Sequence, residues 1–273
     1  MCRKENRATI KRQQMQTVKV IKIGGNVVDD PEKLQRFLRD FAALEGPKVL
    51  VHGGGKIATA ISKGLGIETR MIGGRRVTDA ETLRIVTMVY AGLINKNIVA
   101  ALQNEGCNAL GLCGADGGLI RSKRRPARPV DYGFVGDPAG FGLDTAVALI
   151  DGGLVPVVAP ITYDPENGSL LNTNADTVAQ TVAVGLAGRY PVELVFCFEK
   201  RGVLRDVNDD DSVIPEIGPA LYERLKADGV VADGMLPKLD NAFKAIASGV
   251  KNVVICAAER LSMPGYGGTT LCN

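Results

Sequence analysis

Tryptophan is absent from this chain of 273 residues, histidine occurs once, and aromatic residues make up only 5%. Too few rings are present to build a stacking platform for single-stranded nucleic acid. The six cysteines, Cys2, Cys107, Cys113, Cys197, Cys256 and Cys272, form no C-x-x-C pair. With one histidine beside them, they offer no zinc ligand set. No uninterrupted apolar run approaches the ~18 residues that cross a membrane. The N-terminal stretch lacks the apolar core of a signal peptide. These absences point to a cytoplasmic protein with reduced thiols and no membrane partner.

The chain has no net positive charge outside one end. The net charge of +3 comes from Met1–Gln16, where Arg3, Lys4, Arg7, Lys11 and Arg12 face only Glu5, a net of +4. The remaining body is close to neutral, at about −1, and lacks the basic face of a nucleic-acid binder. The basic tail reads as a solvated extension or as a short helix serving oligomer contacts or regulation.

Glycine is abundant, with 33 residues against a typical ~7% share. Strand-like runs at Val18–Ile23, Lys48–Val51, Leu154–Val158, Val192–Phe198 and Asn252–Cys256 alternate with helical patterns. That order predicts an α/β fold, a mainly parallel sheet covered by helices on both faces. Asp30-Pro31 predicts a helix start running to about Leu44, Gly73-Gly74 a hairpin, and Thr78 with Glu81 a capping box. Leu83, Val86, Tyr90 and Leu93 follow a helical stripe suited to a core face or a subunit interface. Gly111–Gly136 reads as an excursion of hairpins and loops, Leu143–Asp151 as a helix, and Gly267–Leu271 as a possible final strand.

Four polar clusters sit where strands end or helices begin, and such clusters converge beyond the carboxyl ends of a parallel sheet. In Lys22-Ile23-Gly24-Gly25, alternation places Lys22 on one side with Val18 and Val20, where an anion would compensate its burial. In His52-Gly53-Gly54-Gly55-Lys56, three glycines let backbone N–H groups surround an anion at a helix start. This is not a Walker A loop. It is not a lipase oxyanion loop either, since no G-x-S-x-G elbow exists and no second histidine is left as a base. His52 itself reads as a structural hydrogen-bonding residue. Asn172-Thr173-Asn174-Ala175-Asp176 supplies an N-cap at Asn174, and Asp176 is either a first-turn acid or a functional carboxylate. In Asp233-Gly234-Met235-Leu236-Pro237-Lys238, Pro237 at the first helical position puts Lys238 against the helix dipole, which an anion at that spot would offset. Two lysines, one carboxylate and many backbone donors form the equipment of phosphoryl transfer.

The blocks Lys22-Ile-Gly-Gly, Val51-His-Gly-Gly-Gly, Gly74-Arg-Arg-Val-Thr-Asp, Asn172-Thr-Asn-Ala-Asp, Lys200-Arg-Gly-Val-Leu and Asp233-Gly-Met-Leu-Pro-Lys occur in one order. On these blocks the chain resembles the amino-acid kinase family from Val18 onward. The resemblance implies a three-layer sandwich with a central mainly parallel sheet flanked by helices. It divides the chain into a basic extension at 1–17, an acyl-amino-acid and dimerisation lobe at 18–170, and a nucleotide lobe at 171–273. It implies that Lys22 and Lys238 stabilise the phosphoryl group in transit and that Asp176 holds both lysines. Gly24 and Gly25 would donate to phosphates, and Gly54 and Gly55 would form the substrate-side loop. Arg76 would pair with the substrate α-carboxylate beside Asn172. Glu199, Lys200, Gly202 and Leu204, with the residues before Asp233, would serve the nucleotide. The implied ligands are ATP, with Mg2+ on nucleotide oxygens and water, and an N-acyl-L-glutamate. The implied assembly is a homodimer or higher homo-oligomer.

The expected reaction is phosphorylation of the γ-carboxylate of N-acetyl-L-glutamate. That carboxylate is already ionised at pH 7, so no general base is needed. Competing readings are the same reaction on another N-acyl-glutamate such as N-succinyl-L-glutamate, and a non-catalytic amino-acid sensor with this fold. The acetyl and succinyl groups differ by one carboxylate, for which the sequence names no partner.

Overall fold

The computed structural model describes residues 16–231 and 235–273, so the basic segment before Gln16 and the Asp233-Gly234 pair lie outside the described residues. The chain opens with β1 (Val18–Ile23), a single helical turn α1 (Gly25–Val28) and α2 (Pro31–Ala43). As expected, Asp30 caps α2, its carboxylate accepting from the N–H groups of Glu32 and Lys33 at 3.1 Å each. Next come β2 (Lys48–His52), α3 (Gly55–Gly64), the hairpin strands β3 (Met71–Ile72) and β4 (Arg75–Arg76), and α4 (Ala80–Thr87). A π-helical stretch, Met88–Ile94, joins α4 to α5 (Asn95–Asn104). Then follow β5 (Ala109–Leu112), β6 (Ile120–Arg124), β7 (Gly136–Phe141), α6 (Leu143–Asp151), β8 (Val155–Val158), β9 (Ile161–Tyr163) and β10 (Leu170–Asn172). The second half contains α7 (Ala175–Ala187), β11 (Val192–Phe198), β12 (Glu216–Ile217), α8 (Pro219–Ala227), α9 (Leu236–Ala247), β13 (Asn252–Ala257) and β14 (Thr269–Leu271).

The central sheet runs β12-β14-β13-β11-β1-β2-β8-β5. Its neighbours are parallel except for β13 with β14. The later strands of the sheet up to β8 lie on one side of β1, and the strands from β11 onward lie on the other. That makes the carboxyl end of β1 the switch point at which open α/β sheets bind ligands. Strand alternation divides the core between the two faces. Val18, Val20, Val49 and Leu194 pack under α6, α7 and α9, whereas Ile21, Ile23, Leu50 and Val195 pack against α2 and the Ala80–Asn104 helix. A small second sheet, β10-β9-β6-β7, takes β6 from the predicted excursion of hairpins and its other strands from Gly136 onward, which the sequence reading did not assign to it.

Three local expectations change. The cap of α4 is Asp79, which accepts from the N–H of Thr82 at 2.7 Å. Thr78 is instead fully buried and accepts from Asn172 Nδ2 at 3.0 Å. The stripe through Leu83, Val86 and Tyr90 does not continue to Leu93, which is 48% exposed, while Ile94 is buried. The π turn holds an extra residue, which moves the inward face on by one position. Helix α9 begins at Leu236, so Pro237 is second and Lys238 third, still in the first turn. Joined into one 25-residue segment, Ala80–Asn104 is long and apolar enough to cross a membrane by length and composition. The contiguous runs in the sequence do not show this. Ile85, Val86, Val89, Ile94, Ile98 and Leu102 bury one side of it in the core.

His52, at the end of β2, is fully buried. Asn95 Nδ2 donates to its Nε2 at 3.2 Å and to the Val157 carbonyl at 2.9 Å, so His52 Nδ1–H donates to the Gly53 carbonyl at 2.8 Å. Burial lowers its pKa to about 4, against an ordinary ~6.5. The unfolded chain therefore takes up a proton below ~6.5 that the folded chain refuses until about pH 4. Stability is complete above pH 6.5 and falls as pH drops, by roughly 2–3 kcal/mol at pH 4.5. Urea unfolding of wild type and His52→Gln at pH 7.5 and 4.5 isolates this share. Wild type is expected to lose more than the variant by that amount, and equal losses would refute a neutral buried imidazole.

Candidate active site

Alternation carries Lys22 to the upper end of the face that α7 covers. Asn174 caps that helix, accepting from the N–H groups of Asp176 and Thr177 at 2.9 and 3.1 Å. Asp176 is thereby held in the first turn, over the end of β1. Lys22 Nζ lies 2.7 Å from Asp176 Oδ1, and the lysine is only 7% exposed. Phe198, the last residue of β11, receives both lysines on its ring. Lys22 Nζ stands 5.3 Å and Lys238 Nζ 4.1 Å from the ring centroid. Among the described residues no carboxylate lies within 4.0 Å of Lys238. The structure thus brings Asp176 to Lys22 and sets Lys238 on the aromatic face. Two ammonium groups against one carboxylate leave a cationic site that an anion would complete.

A cavity of about 370 Å³ opens at this point, lined by Lys22, Gly24, Gly25, Glu199, Gly202 and Lys238 among others. The two glycines differ in what they offer. The Gly24 N–H is engaged by the Cys197 carbonyl at 3.1 Å, so Gly24 does not present the free donor expected of it. The Gly25 N–H has no acceptor among the described residues. Lys200 reaches the cavity edge but pairs with Asp210 at 2.8 Å, and Arg201 pairs with Asp211. Leu204 lies off the lining, bridged to Val213 in a short antiparallel contact. Asn26 links the two sides of the site, donating to Glu199 Oε1 and accepting from Lys56 Nζ.

A second cavity, of about 240 Å³, meets the first at Gly25 and is walled by Gly54, Gly55, Arg76, Arg125 and Asn172 among others. Gly54 has φ +148°, and a Cβ there would fall 2.2 Å from Ile94 Cδ1. The π turn places Tyr90 and Ile94 directly against the glycine loop. Gly73 and Gly74, both with positive φ, make the tight turn of the β3–β4 hairpin as predicted. Alternation in β4 buries Arg76 to 8% exposure and leaves Arg75 exposed at the cavity rim. Arg76 Nη2 donates to the Gly55 carbonyl at 2.9 Å and to Thr59 Oγ1 at 2.8 Å, and Nη1 donates to Thr69 Oγ1 at 3.1 Å. Asn172 Nδ2 donates to Thr78 Oγ1, which donates to the Arg76 carbonyl at 3.2 Å. Arg76 and Asn172 therefore belong to one rigid wall.

Sequence reasoning missed Phe198, Asn26, Thr59, Thr69 and Arg125. Phe198 reads as an ordinary strand residue, and the two threonines lie on a helix face and in a loop with no motif of their own. Only the proximity of chain segments reveals them.

The model of the amino acid kinase family matches residues 17–257. Acetylglutamate kinase from Cytophaga hutchinsonii is 59% identical over 248 residues, covering 90% of this chain and 94% of that one. Acetylglutamate kinase from Bacteroides fragilis is 54% identical over 256 residues, covering 94% and 98%. Among solved structures, N-acetylglutamate synthase from Neisseria gonorrhoeae, complexed with coenzyme A and N-acetyl-glutamate, matches with a TM-score of 0.78 at 19% identity. It covers 98% of this chain and 62% of its own, a likeness of fold. The family's model and the relatives agree: this chain belongs to the amino acid kinase family.

Proposed function

We propose that this protein transfers the γ-phosphoryl group of ATP to the γ-carboxylate of N-acetyl-L-glutamate, giving the acyl phosphate and ADP, a step of arginine biosynthesis. The observation that carries this reading is the meeting of two cavities at Gly25, one walled by a buried arginine and the other by two lysines. Relatives 54–59% identical over nine-tenths of the chain support it.

In this reading Arg76 and Asn172 hold the α-carboxylate, and the γ-carboxylate points past Gly25 toward Lys22. Lys22 and Lys238 neutralise charge on the transferring group, and Asp176 orients Lys22. The Gly25 N–H adds a donor, with Gly24 supplying room rather than a hydrogen bond. Residues 18–170 serve the acyl amino acid and residues 171–273 the nucleotide, with Glu199, Lys200 and Gly202 at its edge. Magnesium, on this reading, rides on phosphate oxygens and water. Met88 and Leu93, 57% and 48% exposed on one helical segment, support assembly as a homodimer, and a biosynthetic kinase of this kind would work in the cytoplasm.

Incubating the protein with Mg-ATP, hydroxylamine and N-acetyl-L-glutamate should yield the hydroxamate, with free glutamate, aspartate and carbamate inert. Absence of product with N-acyl-glutamates would reject the reading in favour of a sensor. Lys22→Met and Lys238→Met should each lower kcat by roughly 10²–10³, the cost of a lost transition-state donor. Asp176→Asn should also slow turnover while folding normally. Steady-state kinetics beside circular dichroism check all three, and normal turnover in Lys238→Met would remove that residue from the chemistry. Arg76→Ala should weaken acyl-glutamate use by the equivalent of about 2–5 kcal/mol, because a desolvated carboxylate loses its partner. The KM for ATP should hardly move, and Arg75→Ala should cost less, under ~1 kcal/mol. A larger effect at Arg75 would overturn the assignment.

A further inference from the structure

The glycine loop is aimed from behind, by two residues outside the cavity lining. His52, fully buried, donates from Nδ1–H to the Gly53 carbonyl at 2.8 Å. A trans peptide is planar, with its C=O and N–H on opposite sides. Turning the Gly53 carbonyl inward therefore turns the N–H of the same peptide, that of Gly54, away from His52. Gly53, Gly54 and Gly55 line the cavity beside Arg76, and the Gly54 N–H has no acceptor among the described residues. A Cβ on Gly53 would stand 3.8 Å from the Gly25 nitrogen, so this donor lies close to where the two cavities meet.

The ring makes that bond only with its proton on Nδ1, and Asn95, at the start of α5, sets this. Asn95 is itself fully buried. Its Nδ2 donates to the Val157 carbonyl at 2.9 Å and its Oδ1 accepts from Lys96 Nζ at 3.2 Å, which fixes the direction of the amide. The same Nδ2 donates to His52 Nε2 at 3.2 Å, so that nitrogen stays bare and Nδ1 keeps the proton. Strand β5 leaves the amide no room to shift, since a Cβ on Gly111 would fall 2.0 Å from Asn95 Oδ1. The π turn just before Asn95 meanwhile presses Tyr90 and Ile94 against Gly54. One helical segment thus holds the loop through direct packing and through the imidazole.

Resting on the reaction proposed above, we infer that His52 and Asn95 are positioning residues, which fix the Gly54 N–H on the γ-carboxylate of the acceptor. Neither touches the substrate. Arg76 grips the far end of that molecule through partners of its own. Loss of the aim therefore lets the acceptor bind but leaves its reacting oxygen out of line with the phosphoryl group.

His52 is the only histidine, so isotope-labelled imidazole nitrogens give one pair of signals by nuclear magnetic resonance. At pH 7 Nδ1 should carry the proton and Nε2 none, and N-acetyl-L-glutamate added without ATP should move the Nδ1 signal. A proton on Nε2, or an Nδ1 signal indifferent to ligand that calorimetry shows to be bound, would overturn the inference on wild type alone. Asn95→Leu should spread the proton over both ring nitrogens, and an unchanged Nδ1–H would remove Asn95 from the device. In steady-state kinetics His52→Gln, whose amide nitrogen reaches the Nε2 position, should lose about a hundredfold in kcat with both KM values within about threefold. His52→Asn, whose amide nitrogen stands where Nδ1 stood, should recover about tenfold of that loss. Equal losses in the two variants, or wild-type kcat in a folded His52→Gln protein, would overturn the inference and leave the kinase reading intact. An Nδ1 signal that moves on binding in a protein that phosphorylates nothing would reject the kinase reading and sustain the aimed loop. Absence of binding would reject both.

Discussion

A lysine buried at the end of the central strand is the constraint around which the site is arranged. Lys22 leaves water almost completely, and an ammonium group in that position is tolerated only with a charge partner at short range. Asp176 supplies it at 2.7 Å, and to do so α7 must begin directly above the end of β1. The Asn174 cap sets that beginning, and the apolar face of α7, from Val178 through Leu186, holds the helix on the sheet. The pair does not close its own electrostatics, because Lys238 approaches the same aromatic ring from α9. The surplus positive charge faces the cavity that both lysines line.

The second cavity depends on a different device. Its glycine loop can pass close to a helix only because Gly54 has no side chain and takes a conformation that other residues avoid. The helix in turn contains a π turn, which brings Tyr90 and Ile94 onto the loop and passes the buried face from Leu93 to Ile94. Against this rigid floor the β3–β4 hairpin lays Arg76, whose guanidinium is fixed by Gly55, Thr59 and Thr69. A preorganised arginine loses less freedom when it binds a carboxylate than a flexible one would.

Much of this arrangement is legible in the sequence. Strand alternation placed Lys22 on the same face as Val18 and Val20, and the sheet confirms that face by its packing under α7. The two glycines of the hairpin and the caps at Asp30 and Asn174 follow from local backbone chemistry, which a short window contains in full. The sequence points to Thr78 rather than Asp79 as the cap of α4 because adjacent residues both carry suitable oxygens. The choice between them rests on Thr78 being drawn inward to Asn172, 94 residues away.

The sequence by itself determined the α/β class, the order of strands and helices, and the family, because periodicity, caps and glycine turns are properties of neighbouring residues. It also determined which residue types were available for phosphoryl transfer, since six ordered blocks carry them. Only the tertiary structure decided which of those groups meet: Phe198 beneath both lysines, Gly24 already bonded to Cys197, Asn26 between Lys56 and Glu199, and Arg125 in the wall of the cavity beside Arg76. The reason is physical. Hydrogen bonds and ion pairs act over a few ångströms, and residues far apart in the chain come within that range only when the sheet and its covering helices have closed around them.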